Sequence, residues 1–125
     1  MEKYLRQVPD GVEDCLPAEC RIKRNIEGAL RAVFVASGFD EVETPIYEFY
    51  DVFQSGVGAY MQENMIKFMD AKGRILVLRP DITVPIARLA ATRMDPKPVK
   101  RLFYIQNSFA AAQPAIGRAG EFTQA

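Results

Sequence analysis

Asp81 and Thr83 stand two residues apart in the run Leu78-Arg79-Pro80-Asp81-Ile82-Thr83, just ahead of a stretch with helical apolar spacing. A carboxylate beside a hydroxyl at the start of a helix has two uses. It can take an ammonium group through charge-assisted hydrogen bonds, or it can cap the helix by accepting from first-turn N–H groups. The sequence leaves both open. Arg118, in a loop of small residues, reads by its type alone as a solvated arginine. Cys15 and Cys20 are the only cysteines, and there is no histidine. Their spacing is not that of a CxxC redox or zinc pair, so two reduced thiols and no metal site are expected. No Ser-His-Asp set, P-loop or GxGxxG is present. These residues offer ligand binding, with no catalytic residue and no cofactor expected.

The elements that would position these groups are legible from apolar spacing. Pro17 suits a first helical turn, and Ile22, Ile26, Ala29, Leu30, Val33 and Phe34 then recur at helical intervals up to Gly38, a C-terminal stop. Residues 39–47 read as one strand, with Val42, Thr44 and Ile46 on one side. Pro45 gives no N–H to a ladder, which places this strand at a sheet edge, a kink or a subunit contact. Residues 48–53 suggest a short helical turn, and 54–64 a glycine-containing loop. The runs 65–70 and 74–79, with Ala71-Lys72-Gly73 between them, form a hairpin pattern. A helix follows from Thr83 to about Met94, broken by Asp95-Pro96-Lys97-Pro98. Residues 99–109 alternate as a long strand, 110–120 form a loop, and 121–124 start a returning strand. The fold class is α+β, an antiparallel sheet flanked by helices.

The chain has 125 residues, 49% hydrophobic and 26% charged, with 16 acidic and 16 basic side chains. That is one ordinary domain with no global field toward nucleic acid or a membrane. No apolar run approaches the ~20 residues of a membrane span, and the first residues carry no signal-peptide core. The cytoplasm is the expected location. A hairpin stopping near the start of its second strand suggests a truncated or fragmentary chain.

Three ordered segments together resemble the front of a histidyl-tRNA synthetase-like protein, from about Pro9 to Gln124. The opening Val8-Pro9-Asp10-Gly11-Val12-Glu13-Asp14-Cys15-Leu16-Pro17 is similar to the family's Pro-x-Gly-x-x-Asp-x-x-Pro start. Residues 38–48 resemble motif 1 of class II aminoacyl-tRNA synthetases, which builds the dimer interface, so Val42, Thr44, Pro45 and Ile46 become candidate dimer contacts. Residues 101–124 resemble motif 2, the strand-loop-strand that grips ATP. The family's Arg-Pro-Glu-Gly-Thr stands here as Arg79-Pro80-Asp81-Ile82-Thr83, a form associated with ATP phosphoribosyltransferase regulatory subunits.

By resemblance, Asp81, Thr83 and Gln124 would contact free histidine, and Arg118, in the ATP-gripping loop, would contact a phosphate. The family's Phe-Arg-x-Glu-x-Pro reads Phe109-Ala110-Ala111-Ala112-Gln113-Pro114, so the arginine and glutamate of amino-acid activation are alanines; since regulatory subunits often keep that arginine, Ala110 also weakens the case for their ligand pocket. A third motif and a tRNA-reading domain are absent from these residues. The resemblance thus implies a non-catalytic regulatory subunit of the first enzyme of histidine biosynthesis. Its partners would be the catalytic subunit, a second copy and histidine; tRNA is not expected. Two other readings are a divergent histidine–tRNA ligase and a dimerising fragment without its own activity.

Overall fold

The computed structural model describes residues 3–54, 63–111 and 119–125. Pro17 opens helix α1 (Pro17–Ala36) at a position whose N–H would lack a helical partner anyway, and Glu19 sits at the positive end of its dipole. The helix ends in a Schellman motif. Gly38 N–H donates to Val35 C=O and Phe39 N–H to Phe34 C=O, both at 3.0 Å. Gly38 has φ of 83°, and the Phe39 ring lies 6.3 Å from that of Phe34, the apolar contact that accompanies this stop.

The turn hands the chain to strand β1 (Asp40–Glu41), which pairs in parallel with β5 (Leu102–Phe103), Asp40 opposite Leu102. Arg31 ties α1 to β1 by donating Nε and Nη2 to the two oxygens of Glu41, at 2.8 and 3.0 Å. That hydrogen bonding holds the Glu41 carboxyl below the usual range. Phe34 stacks on Phe103 with centroids 4.9 Å apart. Beyond this ring the helix packs little. Ile22, Ile26, Leu30 and Val33 are 61%, 57%, 40% and 63% exposed. The apolar stripe read from sequence is real, but most of it has no cover among the described residues.

The single strand expected over 39–47 is two strands. After β1 the chain is irregular over 42–46 and resumes as β2 (Tyr47–Phe49). Pro45 cannot donate to a ladder, and its neighbour Thr44 is drawn to the Gln106 side chain instead. Residues 48 and 49 therefore belong to β2, and the helical turn expected from 48 begins later as α2 (Asp51–Gln54).

Strand β4 (Ile75–Leu78) is central, antiparallel to β2 on one side and to β3 (Lys67–Met69) on the other. The β3–β4 turn forms as its sequence predicts, with Gly73 at φ 76°. Asp70 Oδ1 accepts from the N–H groups of Lys72 and Arg74, each at 2.9 Å. One face of the sheet carries Val77 into a cluster with Phe53 and Met65, joined by Tyr50, Val52 and Val84 of the elements above it. The other face leaves Tyr47, Phe49 and Phe68 at 53%, 43% and 38% exposure.

Helix α3 (Thr83–Arg93) follows the expected bounds. The long strand expected over 99–109 is split. β5 joins β1, whereas β6 (Gln106–Phe109) pairs antiparallel with β7 (Glu121–Gln124), so a change of partner interrupts the ladder at residues 104 and 105. The architecture is α+β, antiparallel apart from the β1–β5 pair. No helix among the described residues is long and apolar enough to cross a membrane.

Candidate functional site

Pro80 ends β4, and Asp81 sits between that strand and α3. The two sequence readings of Asp81 prove compatible. Its Oδ2 accepts from Val84 N–H at 3.2 Å, capping the helix, while Oδ1 receives the Thr83 hydroxyl at 3.4 Å. Two described bonds leave acceptor capacity on a carboxylate with about four lone-pair sites. Asp81 is half-buried and Thr83 exposed, so the pair can be approached from solvent. Ile82, fully buried between them, anchors the turn.

Two arginines fix where this turn lies. Arg88 of α3 donates Nε and Nη2 to Glu48 Oε1 at 3.2 and 2.8 Å, and Glu48 is 8% exposed on β2. Arg79, two residues before Asp81, is only 3% exposed. Its Nε donates to Asn107 C=O at 2.6 Å, and its Nη1 to the carbonyls of Thr44 and Pro45 at 2.7 and 3.1 Å. Desolvation pushes its pKa down, and backbone carbonyls in place of a paired carboxylate satisfy the cation. Arg79 thus bolts the end of β4 to β6 and to the irregular 42–46 segment. Sequence reasoning treated it as part of a signature and missed this role. The available signal was a charged residue closing an apolar strand.

Gln124 lies on β7 opposite Gln106. Its Oε1 accepts from the Ser108 hydroxyl at 3.1 Å, and Ser108 is fully buried. Gln124 also lines an apolar groove with Ile22, Ile26 and Leu30 of α1 and with Ile105. The structure therefore joins Asp81 to Thr83 but, among the described residues, no hydrogen bond joins either to Gln124. On the hairpin's other face, Asn107 Nδ2 donates to Glu121 Oε1 at 2.7 Å, and Thr123 Oγ1 to Asn107 Oδ1 at 2.9 Å. These three border a polar hollow of about 570 Å³, closed by Gly11, Glu13, Cys15 and Lys23.

Ala110 is half-buried, with its N–H on Gly120 C=O at 3.0 Å. Arg118 and Ala112 lie outside the described residues. Of the candidate dimer contacts, Pro45 and Ile46 are exposed, Val42 is half-buried, and Thr44 is spent inside the chain, 6% exposed and bracketed by Gln106. Among the described residues no group of three or more His, Cys, Asp or Glu is placed to hold a metal.

A sequence model of the histidyl-tRNA synthetase family matches residues 11–125. The chain belongs to that family. Among members of the histidyl-tRNA synthetase family, it is 51% identical over its whole length to an ATP phosphoribosyltransferase regulatory subunit of Acetivibrio thermocellus, covering 30% of that protein. It is 49% identical to the one of Ruminiclostridium cellulolyticum, again over 30% of it. A crystal structure from Bacillus halodurans, described as an ATP phosphoribosyltransferase regulatory subunit/histidyl-tRNA synthetase, superposes with a TM-score of 0.82 at 34% identity, over 96% of this chain and 31% of that one. Apo histidyl-tRNA synthetase of S. aureus gives 0.72 at 25% identity, over 94% and 27%. The chain thus spans about 30% of the length of the curated relatives it matches, and its fold is that of the histidyl-tRNA synthetase family.

Proposed function

We propose that this chain is part of a non-catalytic, histidine-sensing regulatory subunit of ATP phosphoribosyltransferase. The observation that carries the reading is the Asp81–Thr83 pair at the start of α3, combined with alanine at 110 and 112. The first supplies a carboxylate with spare acceptor sites for an ammonium group. The second removes the cation that adenylate formation requires: losing one such donor typically costs about 3–4 kcal/mol of transition-state stabilisation. A site of this kind holds an amino acid without activating it.

Sensing then works by linkage. Histidine that binds one state of the assembly more tightly shifts the population toward it, and the catalytic subunit reads the shift. The catalytic subunit and a second copy of the regulatory chain are the protein partners, tRNA is not one, and the cytoplasm is the location. Residues 38–48 act as motif 1 and 101–124 as motif 2 of the single synthetase-like domain. In this reading Pro45 and Ile46 belong to the dimer contact, Arg118 is the phosphate contact of the ATP-gripping loop, and Gln124, its oxygen held by Ser108, offers its side-chain N–H groups to the amino acid.

Calorimetric titration of the whole protein with histidine tests this reading. Asp81→Asn keeps a capping oxygen while removing the charge. It should weaken histidine by about 10-fold or more, the worth of a charge-assisted bond, with little change in Tm. Unchanged affinity would remove Asp81 from the site. Histidine-dependent ATP–pyrophosphate exchange would replace the reading with that of a histidine–tRNA ligase.

A further inference from the structure

Cys15 and Cys20 look unrelated by motif spacing, but the start of α1 changes that. With Leu16 at the N-cap, Cys15 occupies N′ and Cys20 occupies N4, the two positions whose side chains pack together across a helix start. Here both positions hold thiols, so the helix start sets Cys15 and Cys20 side by side. Both are free, Cys15 exposed and Cys20 half-buried. Apolar residues usually fill these positions, so the contact serves packing whether or not the thiols react.

We propose that Cys15 and Cys20 form an oxidation site, a dithiol that closes to an internal disulfide with a two-electron oxidant of the peroxide class. The Cys15 thiolate attacks one peroxide oxygen, the O–O bond breaks, and the departing hydroxide takes a proton to become water. The Cys20 thiolate then attacks the sulfenic sulfur, the S–O bond breaks, and a second water leaves. Two thiols and one peroxide give one disulfide and two waters. The sulfurs lose two electrons and the peroxide gains them. The sulfurs must close to about 2.05 Å, and Cys15 precedes the helix, so its backbone can follow.

The bridge acts on the polar hollow. Cys15 is part of its wall, opposite Asn107, Glu121 and Thr123. The segment leading to Cys15 is tied to the β6–β7 hairpin by Gly120 N–H on Gly11 C=O at 2.7 Å. A disulfide pins this wall to α1 and restricts the opening segment in the unfolded chain.

Trypsin releases both cysteines in one peptide, from Gln7 to Arg21, which makes the test direct. The reduced protein is treated with hydrogen peroxide, alkylated without reduction, and digested. Wild type should give this peptide unalkylated and lighter by two hydrogens, with the oxidised protein melting a few degrees higher. Cys20→Ser should instead leave a Cys15 sulfenic acid that dimedone traps. Bridging in the folded protein should outpace that in urea by about tenfold, since the helix start positions the pair. Equal rates folded and unfolded, or thiols that only over-oxidise or link separate chains, would overturn the proposal.

Discussion

Arg79 shows how one side chain can decide the placement of several others. Its guanidinium reaches carbonyls on β6 and in the 42–46 segment, and it stands at the end of the central strand just before Asp81. A planar fork with several donors can satisfy three carbonyls at once, whereas an ammonium on a flexible stem cannot match that geometry. Arg79→Met should lower unfolding stability by about 2–4 kcal/mol, because buried acceptors lose their donors. Arg79→Lys should recover only part of this. Urea unfolding measures both, and a loss under 1 kcal/mol for Arg79→Met would show that the carbonyls find other donors. That Asp81 and Thr83 pair at the start of α3 was legible from their types and order. That Asp81 also caps α3 was legible too, since both uses need the same position before a helix. Arg79 as a clamp was not, because its partners are 28, 34 and 35 residues away in sequence.

At the scale of the element, local chemistry was enough where the signal was short-ranged. Pro17 and Gly38 bound α1, and Asp70 with Gly73 shapes the β3–β4 turn. An added Cβ at Gly38 would meet nothing within 4 Å, so the cost of Gly38→Ala is conformational alone. We expect about 1 kcal/mol and a Tm lower by about 3–6 °C, measured by thermal melts; an unchanged Tm would mean that the helix ends another way. Strands were read less well. Alternation over 39–47 and 99–109 predicted two long strands, and each is broken because its halves have different partners. Alternation reports which side a residue faces, not which strand lies beside it.

On the scale of the whole molecule, the apolar face of α1 dominates. Ile22, Ile26, Leu30 and Val33 form an exposed stripe, and such contiguous patches drive association. The 125-residue chain should therefore self-associate as its concentration rises. Ile26→Lys should reduce this in sedimentation while changing stability by only about 0.5 kcal/mol. A Tm loss of many degrees would show that the stripe is buried against the chain's own residues. The residue order by itself determined the two long helices, the β3–β4 hairpin and the α+β class, because caps, turns and apolar spacing act over a few neighbours, and its ordered motifs carried the resemblance to the family. Only the tertiary structure decided that Thr44 turns inward, that Arg79 clamps two segments and that Gln124 faces α1. Each of these depends on which distant or folded-back groups share space, and no local pattern carries that information.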